Sequence, residues 1–520
     1  MIKYQIFSEN EWLFPDSEIT VQNKAELYSA RNADVCFQIL TDLELKGDEK
    51  ITASFELEGF SAEVSQLLIA RVHENSAVKS HTTLDYESVK HFVTRQAPFD
   101  VYDVTRPIED NATEAGRAAF YVRINVFENA PVGIFDTTLT LNIGDESLTV
   151  PVTIKTYNVK VPALKDAEFD MCNWIYYEIL AKDTNTTIYS DEYMAIVDEY
   201  IKNLVDMRNT MLMLPTATPI RDESGKVIDF DFSGVEKVGN LAIERGFNYV
   251  MGGFVASWAA WDKPEIYLLW DREIEVRSIE AYRQLKLYFK RAVECIERNN
   301  WEDVYMQCLV DEPQFQNADA YRALSGICRQ CMPGITINDP VETTDIEGAL
   351  DIWVIKQATF EQYLADFQAI QATGETLMIY TCGFPSGKTM NRVIDLPLTV
   401  SRLPMWMCYK YDCPGFLHWG YHYHQPEGRW NTHTPGPKTH KHPAGNGFVA
   451  YLFDNKPYYA VRGHSQRTGA CDYELFNILG KTDKAKALEL IHKVCRTFDD
   501  YDPSTKLFDD VRRELLEILG

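Results

Sequence analysis

The sequence lacks any long uncharged apolar run. Nowhere do roughly 18 apolar residues follow one another, so no segment reads as a membrane-spanning helix. The opening stretch, MIKYQIFSENEWLFPDSE, has neither the apolar core nor the small-residue cleavage site of a secretory leader. Positive charge is scarce: 51 Lys and Arg stand against 77 Asp and Glu, a net charge of −26. So acidic a surface repels phosphate backbones and anionic headgroups. That excludes nucleic acid and membranes as expected partners and favours a neutral substrate. The eleven cysteines are odd in number and show no framework spacing, so they read as free thiols of a reducing compartment. A cytoplasmic protein is the expectation. Low-complexity stretches and short internal repeats are also missing.

What is present exceeds one core. A chain of 520 residues is expected to form two or three domains. Residues 1–162 read as an N-terminal β-sandwich. Short alternating runs at Ile51–Leu57, Ala119–Val126, Thr137–Ile143 and Leu148–Tyr157 are punctuated by turn-rich segments. Pro162 cannot donate to a ladder, and the sheet is expected to stop there. Residues 163–481 change rhythm to strand, then helix. Eight strands are expected at Phe169–Tyr176, Thr210–Leu214, Phe247–Phe254, Val304–Val310, Ile335–Asn338, Ile352–Ile355, Thr376–Cys382 and Gly415–Trp419. Amphipathic helices are expected between them at Asp191–Arg208, Ser278–Arg298, Asn317–Cys331, Phe360–Thr373 and Thr389–Leu403. Eight such units suit a (β/α)8 TIM barrel, with a doubly wound open sheet as the rival. Residues 482–520 form a charged C-terminal helical extension, expected on the barrel exterior.

The strongest chemical signal is Val304-Tyr-Met-Gln-Cys-Leu-Val-Asp-Glu-Pro313. A mostly apolar strand ends in two adjacent carboxylates, Asp311 and Glu312, and Pro313 then breaks the ladder. Barrel active sites sit at this end of the strands. Neighbouring residues on a regular strand face opposite ways, but a bend before Pro313 lets both side chains reach the mouth. A buried carboxyl beside an ionised one has a raised pKa, which suits a general acid. The competing structural reading has Asp311 cap the next helix and Glu312 sit in its solvated first turn.

Aromatic residues gather at strand ends and in the loops that follow: Trp174, Tyr176, Tyr177, Trp258, Trp261, Tyr380, Trp406, Trp419, Tyr421 and Tyr423. Their faces stack on the C–H faces of sugars, although each taken singly is better explained as core packing. The histidines His418, His422, His424, His433, His440 and His442 supply no H-E-x-x-H pair, and hydrogen bonding explains them better than a metal. Neither metal nor cofactor is expected. Gly383-Phe-Pro-Ser-Gly-Lys-Thr389 has three residues between its glycines where a phosphate loop needs four. Cys328-Arg-Gln-Cys331, inside an expected helix and without a second CxxC, reads as two inert thiols.

Three stretches carry a family resemblance over roughly residues 165–480: Leu309-Val-Asp-Glu-Pro; Leu377-Met-Ile-Tyr-Thr-Cys-Gly-Phe-Pro385; and a third running from Ser401-Arg-Leu-Pro-Met-Trp-Met through Gly415-Phe-Leu-His-Trp419 and Gly445-Asn-Gly-Phe-Val-Ala-Tyr to Cys471-Asp-Tyr-Glu-Leu. The chain resembles glycoside hydrolase family 123, the β-N-acetylgalactosaminidases. The resemblance implies a β-sandwich ahead of a (β/α)8 barrel. It implies retaining cleavage of β-linked N-acetylgalactosamine from an oligosaccharide or glycoconjugate, and the expected compartment suits exo action on a terminal sugar. The substrate's own acetamido oxygen would act as nucleophile, through an oxazolinium ion. It casts Asp311 as the acetamido stabiliser and Glu312 as the acid/base. Tyr380 would hold the acetamido group, Trp406 and Trp419 would wall the pocket, and Trp174, Trp258 and His418 would line it. The chain departs from the family where Gly445-Asn446-Gly447 replaces a common Gly-Asp-Gly, and in its His-rich segment. Two alternatives stay open. One is a glycosidase of different sugar specificity, with Asp170, Glu178 or Asp262 as nucleophile. The other is a catalytically inactive carbohydrate-binding relative. A homodimer is no more than the base-rate expectation for a soluble oligomer.

Overall fold

The computed structural model describes residues 2–78, 81–110, 112–260, 262–423, 427–436 and 440–520. They form two compact units. One comprises Met1–Ala167, Gly383–Lys410 and Tyr421–Gly520; the other comprises Glu168–Cys382 and Tyr411–Gly420.

The first unit is built on two sheets. A five-stranded sheet has the order Tyr4–Ser8, Ala33–Leu45, Gly116–Val126, Phe60–Val72 and Phe99–Pro107. A four-stranded sheet has the order Ala25–Arg31, Glu146–Lys160, Gly133–Ile143 and Ile51–Phe55. Alternation decides which faces meet. Leu139, Leu141 and Ile143 point inward with Leu148, Val150, Val152 and Ile154, and they pack on Val35, Phe37, Ile39, Phe120, Val122 and Ile124. The residues between, Thr138, Thr140 and Asn142, stay towards solvent. Ala33–Thr41, by contrast, is buried on both faces. Its second face, with Cys36, Leu40, Ala119 and Tyr121, packs against Leu398 and Val461.

The later segments therefore belong to the sandwich unit, whereas the sequence boundaries put 383–481 with the barrel. Buried charge ties them in. The Arg402 guanidinium grips Asp472 with two bonds of 2.7 and 2.9 Å, and Arg512 donates to the same carboxylate at 3.0 Å. Arg462 does likewise to Asp103 at 3.0 and 2.8 Å, and Tyr451 donates to Asp103 at 2.7 Å. Burial raises the Asp472 pKa, but Arg402 and Arg512 outweigh it and hold the carboxyl below its usual range. The helical tail also differs from expectation. A helix at Val461–Val494, interrupted at Asp483, leads to one at Thr505–Leu519. The last helix packs on the sheet strands Ala25–Arg31 and Glu146–Lys160, with Arg512 donating to the Tyr28 carbonyl at 3.1 Å.

The second unit holds the barrel. Eight parallel strands close in sequence order: Asp170–Ile175, Met211–Met213, Tyr249–Gly252, Tyr305–Gln307, Thr336–Val341, Ile352–Lys356, Thr376–Thr381 and Gly415–His422. Every expected strand overlaps one of these. The interior is sulfur-rich: Met211, Met251, Met306, Met378, Cys172 and Cys308 fill it together with Trp174, Val354, Tyr380 and Leu417. Helices start on sequence-coded caps. Ser190 accepts from Tyr193 N ahead of Asp191–Asp206, and Ser278 accepts from Ala281 N ahead of Ile279–Asn299. The expected helix at Phe360–Thr373 is split at Tyr363 into Gln357–Gln362 and Leu364–Ala372.

One expected helix, Thr389–Leu403, is mostly not helical. Only a 3-10 turn at Leu398–Ser401 forms, before a helix at Leu403–Lys410. Pro397 has no N–H to give a helix. Upstream the backbone is committed elsewhere, Met390 N to Phe498 O at 2.7 Å and Ile394 N to Ala444 O at 2.9 Å. None of the eleven cysteines forms a disulfide, Cys328 and Cys331 included. Among the described residues no helix is long and apolar enough to cross a membrane.

Removing one partner of a buried ion pair strands the other. Arg402→Ala is expected to destabilise the protein by about 3–5 kcal/mol, read as a lower urea midpoint.

Candidate active site

The fourth barrel strand delivers the two carboxylates. Beyond Gln307 the chain stays extended, and Leu309 N donates to the buried Asp339 carboxylate at 2.8 Å, which also accepts from Tyr321 at 2.7 Å. The loop after the third strand is pinned to the same tip, with Val255 N and Ala256 N both reaching Leu309 O at 3.1 Å. Trp258, in that loop, donates its indole N–H to the Asp311 carbonyl at 2.9 Å.

Glu312 bends the chain. Its φ is +50°, a left-handed conformation that a residue with a Cβ adopts only when its surroundings impose it. Cross-strand bonds on either side do so here: Glu312 N to Pro340 O and Glu342 N to Pro313 O, each 3.1 Å. The strand-end bend expected before Pro313 therefore forms, and it brings the carboxyl pair among the ends of the next three strands. The Tyr380 hydroxyl donates to Glu312 Oε1. Lys356 Nζ lies 2.8 Å from Glu342 Oε1.

Burial dominates the electrostatics. It pushes the Asp311 carboxyl well above the usual carboxylate range, and the charges of Glu312 and Glu342 push it further while Lys356 pulls it back. Burial also raises the Glu312 carboxyl, against the pull of Lys356 and of the Tyr380 hydrogen bond, with Glu342 adding to the rise. Two adjacent half-buried carboxyls do not ionise independently, and the charge of either one raises the other. Glu342 and Lys356 escaped the sequence reading. The available signal was a lone lysine closing the apolar run Ile352-Trp-Val-Ile, at the end of a barrel strand.

The other expected site residues divide. Trp174 is in the barrel interior, edge-on to Phe254 with ring centroids 5.5 Å apart. Trp419 is half-buried and edge-on to Tyr176 at 6.3 Å. Trp258 and Tyr380 reach the pair as described. Two need correction. His418 is fully buried on the helix side of the barrel, because Leu417 and Trp419 take the interior face and alternate residues must point away. Trp406 is fully buried in the other unit, between Phe476 and Phe508 at 4.9 and 4.8 Å, with its N–H on Asp472 at 3.0 Å. It has no face left for a sugar.

Asn446 is likewise buried, donating to Asn391 Oδ1 at 3.3 Å, so it forms no pocket rim. Asp170 opens the first strand, at the barrel end opposite the mouth, where it accepts from Thr210 at 2.6 Å. Glu178 and Asp262 are exposed. Tyr177 and Tyr421 are buried, and Tyr423 is half-buried. Trp261 and His424 lie outside the described residues. His433 is held between the His442 carbonyl at 3.0 Å and the Glu74 N–H at 3.2 Å. Among the described residues no three His, Cys, Asp or Glu gather as a metal site.

A closed (β/α)8 barrel with a half-buried carboxyl pair of raised pKa at its strand C-termini is an arrangement suited to acid–base chemistry. The family model "Glycoside hydrolase 123, catalytic domain" matches residues 174–479, more than half of the chain. The chain belongs to glycoside hydrolase family 123, and its activity is that of a glycosidase. Among solved structures, a family 123 glycoside hydrolase from Clostridium perfringens is similar over 100% of this chain and 97% of its own, with a TM-score of 0.73 at 12% identity. That likeness shows the fold. An endo-β-1,4-mannanase from Thermotoga petrophila matches 60% of this chain and 78% of its own at 11% identity, but its TM-score of 0.36 carries no argument. No curated protein matches the sequence significantly.

Tyr380→Phe removes the hydrogen bond that favours ionised Glu312. The Glu312 pKa is then expected to rise further, so the alkaline limb of kcat/KM moves to higher pH. A pH–rate profile of the variant checks this.

Proposed function

We propose that the protein is a retaining, exo-acting β-N-acetylgalactosaminidase that uses its substrate's acetamido group as nucleophile. The observation that carries this reading is the adjacency of Asp311 and Glu312 on one bent strand end. In the common retaining scheme two carboxyls flank the anomeric carbon about 5–5.5 Å apart, one as acid and one as nucleophile. Adjacent residues reach the sugar from one place on the barrel rim. That suits a division of labour in which the nucleophile comes from the substrate.

Glu312, whose carboxyl is raised by its withdrawal from water, donates to the leaving glycosidic oxygen. With the pair's shared proton on Glu312, Asp311 as the carboxylate accepts the acetamido N–H and offsets the positive charge that grows as the carbonyl oxygen attacks C1. The oxazolinium ion then opens to water, with ionised Glu312 as base, and the β configuration is restored. In this reading the Tyr380 hydroxyl, on Glu312 here, holds the acetamido group, and the half-buried Trp419 offers aromatic surface. The acetamidogalactoside itself rests on family resemblance. The Clostridium perfringens relative is described in terms of glycolipid glycan hydrolysis, so a glycolipid or another glycoconjugate is the natural substrate class to try. The acidic chain and its many free thiols favour a cytoplasmic site of action.

Nitrophenyl β-N-acetylgalactosaminide, β-N-acetylglucosaminide, β-galactoside and β-glucoside distinguish the readings. Turnover is expected only with acetamido sugars, best with the galactosaminide, and inhibition by the matching thiazoline. Asp311→Asn and Glu312→Gln are each expected to lose roughly 10²–10⁴-fold in kcat/KM. Turnover of a plain galactoside or glucoside without any acetamido sugar would sink the substrate-assisted mechanism.

A further inference from the structure

Four consecutive barrel strands end on side chains that bear on one another. Glu312 follows the fourth, Glu342 follows the fifth, Lys356 closes the sixth and Tyr380 lies near the end of the seventh. Lys356 shares its inward parity with Val354 and pairs in register with Tyr380, whose hydroxyl is on Glu312. Its ammonium is 2.8 Å from Glu342, and the two side chains are only 10% and 18% exposed.

This makes a small, half-buried charge balance. Three carboxyls, Asp311, Glu312 and Glu342, meet one ammonium. Cys382 also acts on Lys356, Tyr380 is hydrogen-bonded to Glu312, and Cys308 and the buried Asp339 lie behind Asp311. A carboxylic acid kept protonated by burial alone gives up its proton poorly, so it makes a weak general acid. A nearby cation returns it to a useful range. A cation without its own counter-charge would overshoot, and it would also repel the positive oxazolinium.

We propose that Lys356, tethered by Glu342, is a positioning residue that sets how readily the Asp311–Glu312 pair releases its proton. Lys356 stabilises the carboxylate that Glu312 becomes after protonating the leaving group. Glu342 fixes the ammonium beside the pair and limits its field. The two residues therefore act with opposite sign. This rests on the reading of Asp311 and Glu312 as the catalytic pair.

The test is the pH profile of kcat/KM on a nitrophenyl glycoside that the wild type turns over, for Lys356→Met, Lys356→Arg and Glu342→Gln. Asp311→Asn and Glu312→Gln are run beside them. Lys356→Met is expected to move the alkaline limb up by about 1 pH unit or more, Glu342→Gln to move it down, and Lys356→Arg to restore the wild-type profile. Limbs that stay put, or that move the same way in Lys356→Met and Glu342→Gln, overturn the proposal. If Lys356→Met does not fold, Glu342→Gln decides alone, and an unmoved or raised limb overturns it. Full activity in Asp311→Asn and Glu312→Gln defeats the underlying reading of the pair. Loss of activity in those two, with unmoved limbs in the others, defeats only the role of Lys356.

Discussion

Charge removed from water must meet an opposite charge or give up its ionisation, and this constraint shapes both units. In the sandwich unit it is met by pairing. Asp472 lies between Arg402 and Arg512, which engage both of its oxygens, and Asp103 takes Arg462 and Tyr451 on one oxygen. The Arg462–Asp103 pair holds the helix Val461–Val494 to the five-stranded sheet, while Arg402, Asp472 and Arg512 join the late segments to one another. In the barrel the same constraint is left partly unmet. Asp311 and Glu312 are half-buried side by side, and the Lys356 ammonium near them is already shared with Glu342. The counter-charge does not cancel the shift, and a raised carboxyl is what the proposed general acid needs.

The barrel was legible because its strands are short apolar runs separated by long amphipathic helices, a period that tertiary contacts do not disturb. The carboxyl pair was legible for a related reason. Two acids and a proline ending an apolar strand break three local rules at once, and such breaks collect at functional sites. The extent of the sandwich unit was not legible. Its late segments, 383–410 and 421–520, are recruited by single buried charges such as Arg402 and Arg462, which leave no periodic trace in the sequence. Thr389–Leu403 was misjudged because its apolar content fits a helix, while Pro397 and bonds to distant backbone decide otherwise.

The same limit applies within the site. Trp406 and His418 carry the residue types expected of a sugar pocket, and type alone says nothing of which way a side chain faces. His418 is one residue from the inward face of its strand. Trp406 serves an aspartate. Lys356 and Glu342 were overlooked for the opposite reason: single charged residues at strand ends look like ordinary solubilising positions until the register brings them beside Tyr380 and Glu312.

The barrel floor has a consequence of its own. Branched aliphatics usually fill such interiors, yet here four methionines and two cysteines lie beneath the carboxyl pair. Thioethers are unbranched and change rotamer at little cost, so the floor yields to small displacements of the groups above it. The same sulfurs are oxidisable. A sulfoxide oxygen formed there would introduce a polar group into an apolar layer. Oxidation of those sulfurs would disturb the layer under the mouth without any residue at the mouth being oxidised.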